Sequence, residues 1–194
     1  MPPELKGLQH VGLKVRDIET AVHFYTDILG FRTNERIRYA TPRGQRTAQN
    51  FMTCTGLHHV INLAMNVPEA QPDPQPPVVD SRSSVEYGLA HFAFEVEDKA
   101  TFDAWEKHLR ENGVELTHGP VVHSPTHPDG DGLWGENRAL YFCDPDGNNI
   151  EIFCDMAIVG EDGVFDCEQH TARIRSDGYD PEKVALPELQ RDEG

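Results

Sequence analysis

Two histidines and one glutamate stand in sequence contexts that could build a metal site. His10 and His91 each open a short run of alternating apolar residues, in HVGLKVRD and HFAFEVED. Glu151 lies in the middle of NIEIF, where an acid is not a typical strand residue. Burying an isolated carboxylate costs several kcal/mol, so an inward Glu151 needs a partner such as a metal. Although each residue alone also fits an ordinary structural role, two histidines and one carboxylate are the ligand set of non-haem Fe(II) oxygenases.

The two histidines occupy matching places in an internal repeat. After each apolar run comes a helical pattern, DIETAVHFYTDILGF or DKATFDAWEKHLRENGV, and then three strand-like pieces. Asp17 and Asp98 stand where helix N-caps belong. Gly30 and Gly113 stand where the helices end. The sequence therefore predicts an α+β fold of two paired βαβββ modules.

The repeat also sets the expected domain boundaries. We predict one domain over residues 5–156, with module one at 8–66 and module two at 89–156. A proline-rich linker at 67–88 joins the modules. The remaining residues, 157–194, are acidic and carry no clear pattern. We expect them to form an irregular tail that wraps the surface or a partner subunit, or that is partly disordered.

Composition narrows the classes of protein. The chain has 194 residues, of which 38% are hydrophobic, and a net charge of −16. An acidic surface repels nucleic acid and anionic membranes. No apolar run approaches the roughly 20 residues that a membrane span needs. The sequence therefore predicts a cytoplasmic globular protein that binds neither nucleic acid nor membranes.

A pair of adjacent histidines raises the question of which one faces the interior. His58 and His59 open the strand-like piece HHVINLAM. Neighbouring side chains on a strand point to opposite faces. Aligning the two modules gives Ile61 the position that corresponds to Glu151. Because His59 shares strand parity with Ile61, we expect His59 to face the cavity and His58 to face away from it.

Three segments resemble the vicinal-oxygen-chelate superfamily: HVGLKVRDIETAVHFYTDILGF, HFAFEVED and ALYFCDPDGNNIEIF. The superfamily includes glyoxalase I, fosfomycin-resistance transferases, bleomycin-binding proteins, epimerases and type I extradiol dioxygenases. The resemblance implies that the paired modules form a half-open barrel around a metal held by His10, His91 and Glu151. It also implies a homo-oligomer, because open barrels of this fold commonly pair.

The chain is most similar to the one-domain type I extradiol dioxygenases. These enzymes carry a His-His pair at the start of the last strand of the first module and a tyrosine ten residues before the carboxylate ligand. The matching residues here are His59, as the second of the pair, and Tyr141. The resemblance implies Fe(II), or Mn(II), as the metal and a catechol-type aromatic diol with O2 as the reactants. His59 would be the acid–base residue and Tyr141 would hold a substrate oxygen, although Tyr141 also fits a plain core aromatic.

Several alternatives stay open. Glyoxalase-type enzymes usually place a fourth ligand at the position of Ile61, which cannot bind a metal. A further pocket histidine of the extradiol family is not matched near Gly132. Three nearby histidines are candidates for its place: His118, His123 and His127. The other possible functions are a metal-dependent isomerase, epimerase or transferase of the same fold, and a non-catalytic module that binds a small molecule.

Overall fold

A computed structural model describes most of the chain. The described residues are 8, 10–40, 46–66, 89–133, 135–160 and 164–187. They fall into two compact units, which we call unit 1 (within residues 1–79 and 144–148) and unit 2 (within 80–143 and 149–194). The predicted linker at 67–88 lies outside the described residues.

Unit 1 holds one four-stranded sheet and a helix. Its elements in chain order are β1 (Val11–Lys14), α1 (Ile18–His23), a π-helical turn (Phe24–Ile28), β2 (Arg32–Ala40), β3 (Arg46–Thr53) and β4 (Ile61–Asn66). The sheet order is β1-β4-β3-β2, with β1 parallel to β4 and the other pairs antiparallel. The helix begins as predicted, because the carboxylate of Asp17 accepts the backbone N–H of Thr20 at 2.7 Å. Gly30 follows the helical segment with a φ of 70°, which suits glycine.

Unit 2 repeats this order and adds a further helix. Its elements are β5 (Phe92–Glu95), α2 (Lys99–Glu111), β6 (Leu116–His123), β7 (Asn137–Cys143), β8 (Asn149–Cys154), α3 (Cys167–Ser176) and a 3₁₀ turn (Pro181–Lys183). The sheet order is β5-β8-β7-β6, and Asp98 caps α2 by accepting the N–H of Thr101 at 2.8 Å. The α+β class and the two βαβββ modules are therefore confirmed. None of the helices in the described part of the chain has the length and apolar character needed to cross a bilayer.

The sheet of unit 2 separates an apolar face from a polar one, because side chains alternate along a strand. Ile150 and Ile152 of β8 are buried, and Ile150 pairs with the fully buried Phe142 of β7. Helix α2 packs against β8 and buries Phe102. Glu151 lies between the two isoleucines, so its side chain points to the face opposite this apolar layer.

The register of β4 differs from the expected one. Gly12 of β1 pairs with Asn62, whereas Ala93 of β5 pairs with Glu151. Gly12 and Ala93 each lie two residues after a histidine of the repeat. Asn62 therefore corresponds to Glu151, and the alignment of Ile61 with Glu151 was wrong.

An extra residue in one connection causes this shift. Phe51 of β3 pairs with Asn62, eleven residues later, whereas Tyr141 of β7 pairs with Glu151, ten residues later. A shift of one residue moves every side chain of a strand to the other face. Ile61 is accordingly fully buried in the apolar layer of unit 1.

The expectation of an irregular tail after residue 156 is wrong for part of that segment. Helix α3 begins where the carboxylate of Asp166 accepts two backbone N–H groups at 2.9 and 3.0 Å. The residues that α3 buries are His170, Arg173 and Ile174, which follow helical spacing. Two of the three are polar, so the sequence shows no apolar stripe of the usual kind. Residues 188–194 lie outside the described part of the chain.

The turn between β7 and β8 belongs to unit 1 and is held there by two side chains. The hydroxyl of the fully buried Tyr25 donates to Oδ2 of Asp144 at 3.0 Å. Asp144 also accepts the side-chain amide of Asn148 at 2.8 Å. Arg16 donates from Nε to Oδ1 of Asp146 at 2.9 Å. Burial raises the pKa of Asp144, so its ionised form depends on the hydrogen bonds from Tyr25 and Asn148.

Removing the Tyr25 hydroxyl tests the worth of this anchor. We expect Tyr25→Phe to lower the free energy of unfolding by about 1–2 kcal/mol, because a buried carboxylate loses a donor. Urea denaturation measures the change. The control is Tyr39→Phe, because Tyr39 is an exposed strand residue whose hydroxyl accepts from Gln49. Its effect should stay within about 0.5 kcal/mol, and equal losses in the two variants would contradict the account.

Candidate functional site

The carboxylate of Glu151 is buried and held at both oxygens. Its side chain is 6% exposed, and Nε2 of His91 lies 3.0 Å from Oε2. The side-chain amide of Asn137 donates to Oε1 at 3.1 Å. The His91 side chain is 42% exposed, so the pair reaches the surface of unit 2 through the imidazole.

Strand pairing explains why these residues meet. β5 runs parallel to β8 and pairs Ala93 with Glu151. His91 precedes Ala93 by two residues and so shares its face of the sheet. Parallel pairing of these strands therefore places His91 beside Glu151, while the role of the two residues as metal ligands stays a prediction.

Tyr141 lies on the same face as Glu151, because the two residues pair directly across β7 and β8. Its ring centre is 5.7 Å from that of His91 and 5.8 Å from that of His118. Its hydroxyl oxygen lies 3.1 Å from Nε2 of His123. Tyr141 is therefore a buried phenol within a group of polar and ionisable side chains rather than a plain core aromatic.

The three histidines that the sequence left open divide between two places. His118 and His123 flank Tyr141, with ring centres 5.8 and 6.1 Å from the tyrosine ring. Nδ1 of His123 lies 2.7 Å from Oδ2 of Asp131. His127 instead contacts Asp177, which follows α3. The pairing of β6 with β7 brings the first two histidines to the site, and the sequence alone gave no signal for Asp131.

Unit 1 brings the other two predicted residues together. The ring centre of His59 is 4.7 Å from that of His10 and 5.1 Å from that of Phe51. The side chain of His58 is 57% exposed and its Nε2 lies 3.5 Å from a carboxylate oxygen of Glu35. Desolvation, followed by the neighbouring imidazoles of His10 and His58, lowers the pKa of His59. A neutral His59 can accept a proton at neutral pH.

The reason for this placement is not the predicted strand parity. β4 begins at Ile61, so both histidines precede it. The parallel pairing of β1 with β4 continues to a hydrogen bond from the N–H of Val11 to the carbonyl of Val60, at 3.0 Å. His10 and His59 are the residues directly before these two, and the pairing therefore sets them side by side.

The polar residue that corresponds to Glu151 in unit 1 is Asn62. Its Oδ1 is buried and has no hydrogen-bond partner among the described residues. Amide oxygens are ligands for hard cations. The position therefore carries a side chain of a metal-binding type, contrary to the expectation based on Ile61.

The donors of unit 2 fit a divalent metal as part of a larger set. A carboxylate and an imidazole in contact are a common pair of ligands for such ions. The described residues contain no group of three His, Cys, Asp or Glu side chains placed to hold a metal ion. In unit 2 the pair of His91 and Glu151 offers two donor side chains.

Helix α3 is tied to the loop that follows β6. Oδ2 of Asp177 accepts from Nε2 of His127 at 3.0 Å and from Nη2 of Arg138 at 2.6 Å. The backbone N–H of Asp129 donates to Nδ1 of His127 at 3.0 Å, so the imidazole is neutral with its proton on Nε2. Burial, and then the charge of Arg173, lowers the pKa of His127.

The sequence profile of the Glyoxalase/Bleomycin resistance protein/Dioxygenase superfamily matches residues 7–152, which is most of the chain. The chain belongs to this superfamily. The match spans both βαβββ modules and ends just after Glu151. Helix α3 lies beyond the matched residues and is an addition to the part that the superfamily shares.

Relatives within the superfamily differ in reaction. Metallothiol transferase FosB of Staphylococcus haemolyticus is 25% identical over 148 residues, which are 76% of this chain and 83% of that protein. A catechol-2,3-dioxygenase of Bacillus subtilis is 28% identical over 149 residues, which are 75% of this chain but 41% of that protein. A solved glyoxalase family protein from Bacillus cereus shares the fold, with a TM-score of 0.55 and 18% identity over 78% of this chain and 95% of that one.

The neutral state of His127 makes a pH dependence of stability testable. The lowered pKa means that the unfolded chain binds a proton at this residue before the folded chain does. The free energy of unfolding that neutral His127 contributes is therefore fully present well above the ordinary histidine pKa of about 6.5. It is lost as the pH falls below that value. We expect urea unfolding between about pH 7 and pH 5 to show this loss, and His127→Gln to reduce it.

The matched control for that experiment is His23→Gln. His23 has a side chain that is 73% exposed, and its variant should keep the pH dependence of the unsubstituted protein. Identical pH dependence in all three proteins would contradict the assignment of the neutral state to His127.

Proposed function

We propose that this protein is an Fe(II)-dependent extradiol dioxygenase that opens a catechol-type aromatic diol with O2. The observation that carries the proposal is the Tyr141 hydroxyl, held 3.1 Å from His123 and on the same sheet face as Glu151 and His91. A phenol in this place can hydrogen-bond an oxygen of a diol. The proximity of His59 to His10 adds a base beside a proposed ligand.

The proposed metal ligands are His10, His91 and Glu151. Bound iron would hold the diol and O2 together, which removes the entropic cost of their encounter, and it would supply the redox chemistry between them. Mn(II) accepts the same nitrogen and oxygen ligands.

The protein side chains would handle binding and protons. His59, with its lowered pKa, would take a proton from a diol hydroxyl and return it later in the reaction. Tyr141 would hold the substrate oxygen. The reaction breaks one ring C–C bond beside the diol and adds both atoms of O2 to the product, so no external reductant is consumed.

A metal-dependent thiol transferase is the second candidate. It is favoured by the extent of similarity, since the match to the transferase relative spans 83% of that protein and the match to the dioxygenase spans 41%. Asn62, the residue of unit 1 that corresponds to Glu151 of unit 2, is compatible with either function. Two further alternatives remain: a metal-dependent isomerase or epimerase of the same fold, and a non-catalytic module that binds a small molecule.

Aerobic turnover separates these functions. Iron-loaded protein is mixed with catechol or biphenyl-2,3-diol while yellow absorbance and O2 uptake are recorded. We expect both signals to change together. Bound metal without ring cleavage, together with loss of a thiol in the presence of fosfomycin, would establish the transferase instead. Absence of bound metal would favour the binding module.

Metal content tests the ligand assignment. We expect Glu151→Ala to weaken Fe(II) binding by at least about 100-fold, since it removes a direct ligand. The control is Glu95→Ala, an exposed acid on the neighbouring strand β5, which should retain iron. Elemental analysis after equal loading measures both. Full iron content in Glu151→Ala with retained circular dichroism would refute the assignment.

The histidine pair tests the proposed acid–base role. We expect His59→Gln to keep iron but to lose ring cleavage by roughly 10²- to 10⁴-fold, the usual contribution of a positioned acid–base group. His58→Gln should lose far less activity, because His58 is exposed and pairs with Glu35, and its loss removes only the 3.0 Å contact between Nδ1 of His58 and Nδ1 of His59. Steady-state O2 consumption at equal iron loading decides between them. An inactive His58→Gln beside an active His59→Gln would reverse the assignment.

A further inference from the structure

Asp131, His123 and Tyr141 form a continuous chain of hydrogen bonds. Oδ2 of Asp131 lies 2.7 Å from Nδ1 of His123, and Nε2 of the same ring lies 3.1 Å from the hydroxyl oxygen of Tyr141. The side chains of His123 and Asp131 are only 15% and 19% exposed. The imidazole is therefore held through both of its nitrogens, mostly away from solvent.

Asp131 is itself fixed by the loop that carries it. Its Oδ1 accepts the N–H of Leu133 at 2.8 Å, and its own N–H donates to the carbonyl of Val122 at 2.9 Å. Burial raises the pKa of Asp131. The hydrogen bonds from the Leu133 N–H and from His123 lower it by more, so the net pKa is below the ordinary value. Asp131 is therefore an ionised carboxylate at neutral pH and only accepts hydrogen bonds.

Packing leaves the His123 ring little freedom to turn away. His118 stacks on it with an interplanar angle of 25° and ring centres 6.2 Å apart. On another side lies the backbone of Gly135, which has a φ of 145°. It is close enough that an added Cβ would lie 3.0 Å from Cβ of His123. Among the described residues, the ionisable side chains found in contact with the ring are Asp131, Tyr141 and His118.

The direction of each hydrogen bond follows from the acceptor at one end. Because Asp131 only accepts, Nδ1 of His123 carries a proton. A neutral ring then has a bare Nε2, which accepts the single hydroxyl proton of Tyr141. Because the Tyr141 hydroxyl donates its one proton to His123, its oxygen can only accept a hydrogen bond from a bound ligand.

We propose that Asp131 is a positioning residue that sets the direction of the Tyr141 hydroxyl through His123, so that Tyr141 accepts a hydrogen bond from a hydroxyl group of the substrate. The site thereby selects ligands that still carry an O–H at this point, as a neutral or singly ionised diol does. The nature of the ligand rests on the proposed function, whereas the hydrogen-bond chain of the protein stands without it.

Asp131→Asn reverses this chain with little change of shape. The Asn oxygen can keep the Leu133 N–H, while its NH₂ group faces Nδ1 of His123 as a donor. The ring then has to carry its proton on Nε2 and donate to Tyr141. The matched control is Asp129→Asn in the same loop, where the carboxylate accepts from the hydroxyl of Tyr179 at 2.6 Å.

Long-range ¹H–¹⁵N NMR of the histidines in metal-free protein reads the tautomer directly. We expect the His123 proton on Nδ1 in the unsubstituted protein and in Asp129→Asn, and on Nε2 in Asp131→Asn. A proton on Nε2 of His123 in the unsubstituted protein, or an unchanged tautomer in Asp131→Asn, overturns the proposal. This result is independent of turnover, so it decides the role of Asp131 even if the protein cleaves no diol.

Turnover gives the second test where ring cleavage is found. We expect Asp131→Asn to lower kcat by about 10- to 100-fold with iron retained, as outer residues that orient a site commonly do. In a Tyr141→Phe background the same change should have almost no further effect, because the group that it orients is gone. An equal loss in both backgrounds would show that Asp131 does not act through Tyr141.

Discussion

The contacts of the buried Glu151 carboxylate with His91 and Asn137 tie together the three strands that build the site of unit 2. A carboxylate in the interior is costly unless its oxygens are paired or hydrogen-bonded. His91, the residue directly before β5, contacts one oxygen, and Asn137 of β7 donates to the other. The same pairing sets Tyr141 opposite Glu151. Three neighbouring strands must therefore keep their register, since a slip of one residue would turn these side chains into the apolar layer.

Support for this site extends to the loop after β6 and to α3. The loop presents Asp131 to His123, and it is closed against α3 by the bond between His127 and Asp177. Arg138 joins the same carboxylate from β7. Helix α3, which lies beyond the residues matched by the superfamily profile, thus stabilises through buried charges a loop that reaches the polar face of the sheet. Because His127 joins this contact as a donor through Nε2, the contact depends on the protonation state of His127.

Local signals predicted the repeat and both helix starts, since Asp17 and Asp98 act through neighbouring backbone groups. The types and matching positions of the candidate site residues are visible in the chain, and the structure places His91 beside Glu151 and His10 beside His59. Their roles as ligands and catalytic groups stay predictions. The register of β4 was missed because one extra residue in a connection leaves no mark in the pattern. α3 was missed because the buried Arg173 is polar. The approach of His123 and Asp131 depends on a bulged strand and a loop, which periodicity does not describe.

The proposed function requires that Glu151 and His91 bind a catalytic metal. Anomalous X-ray diffraction from crystals grown with Fe(II) under anaerobic conditions, or with Mn(II), tests it most directly. We expect one strong anomalous peak bonded to a carboxylate oxygen of Glu151 and to Nε2 of His91, with the contact between the two side chains replaced by bonds to the metal. A peak bonded to other side chains, or a fully soaked crystal in which His91 still contacts Glu151 and no peak is present, would contradict it.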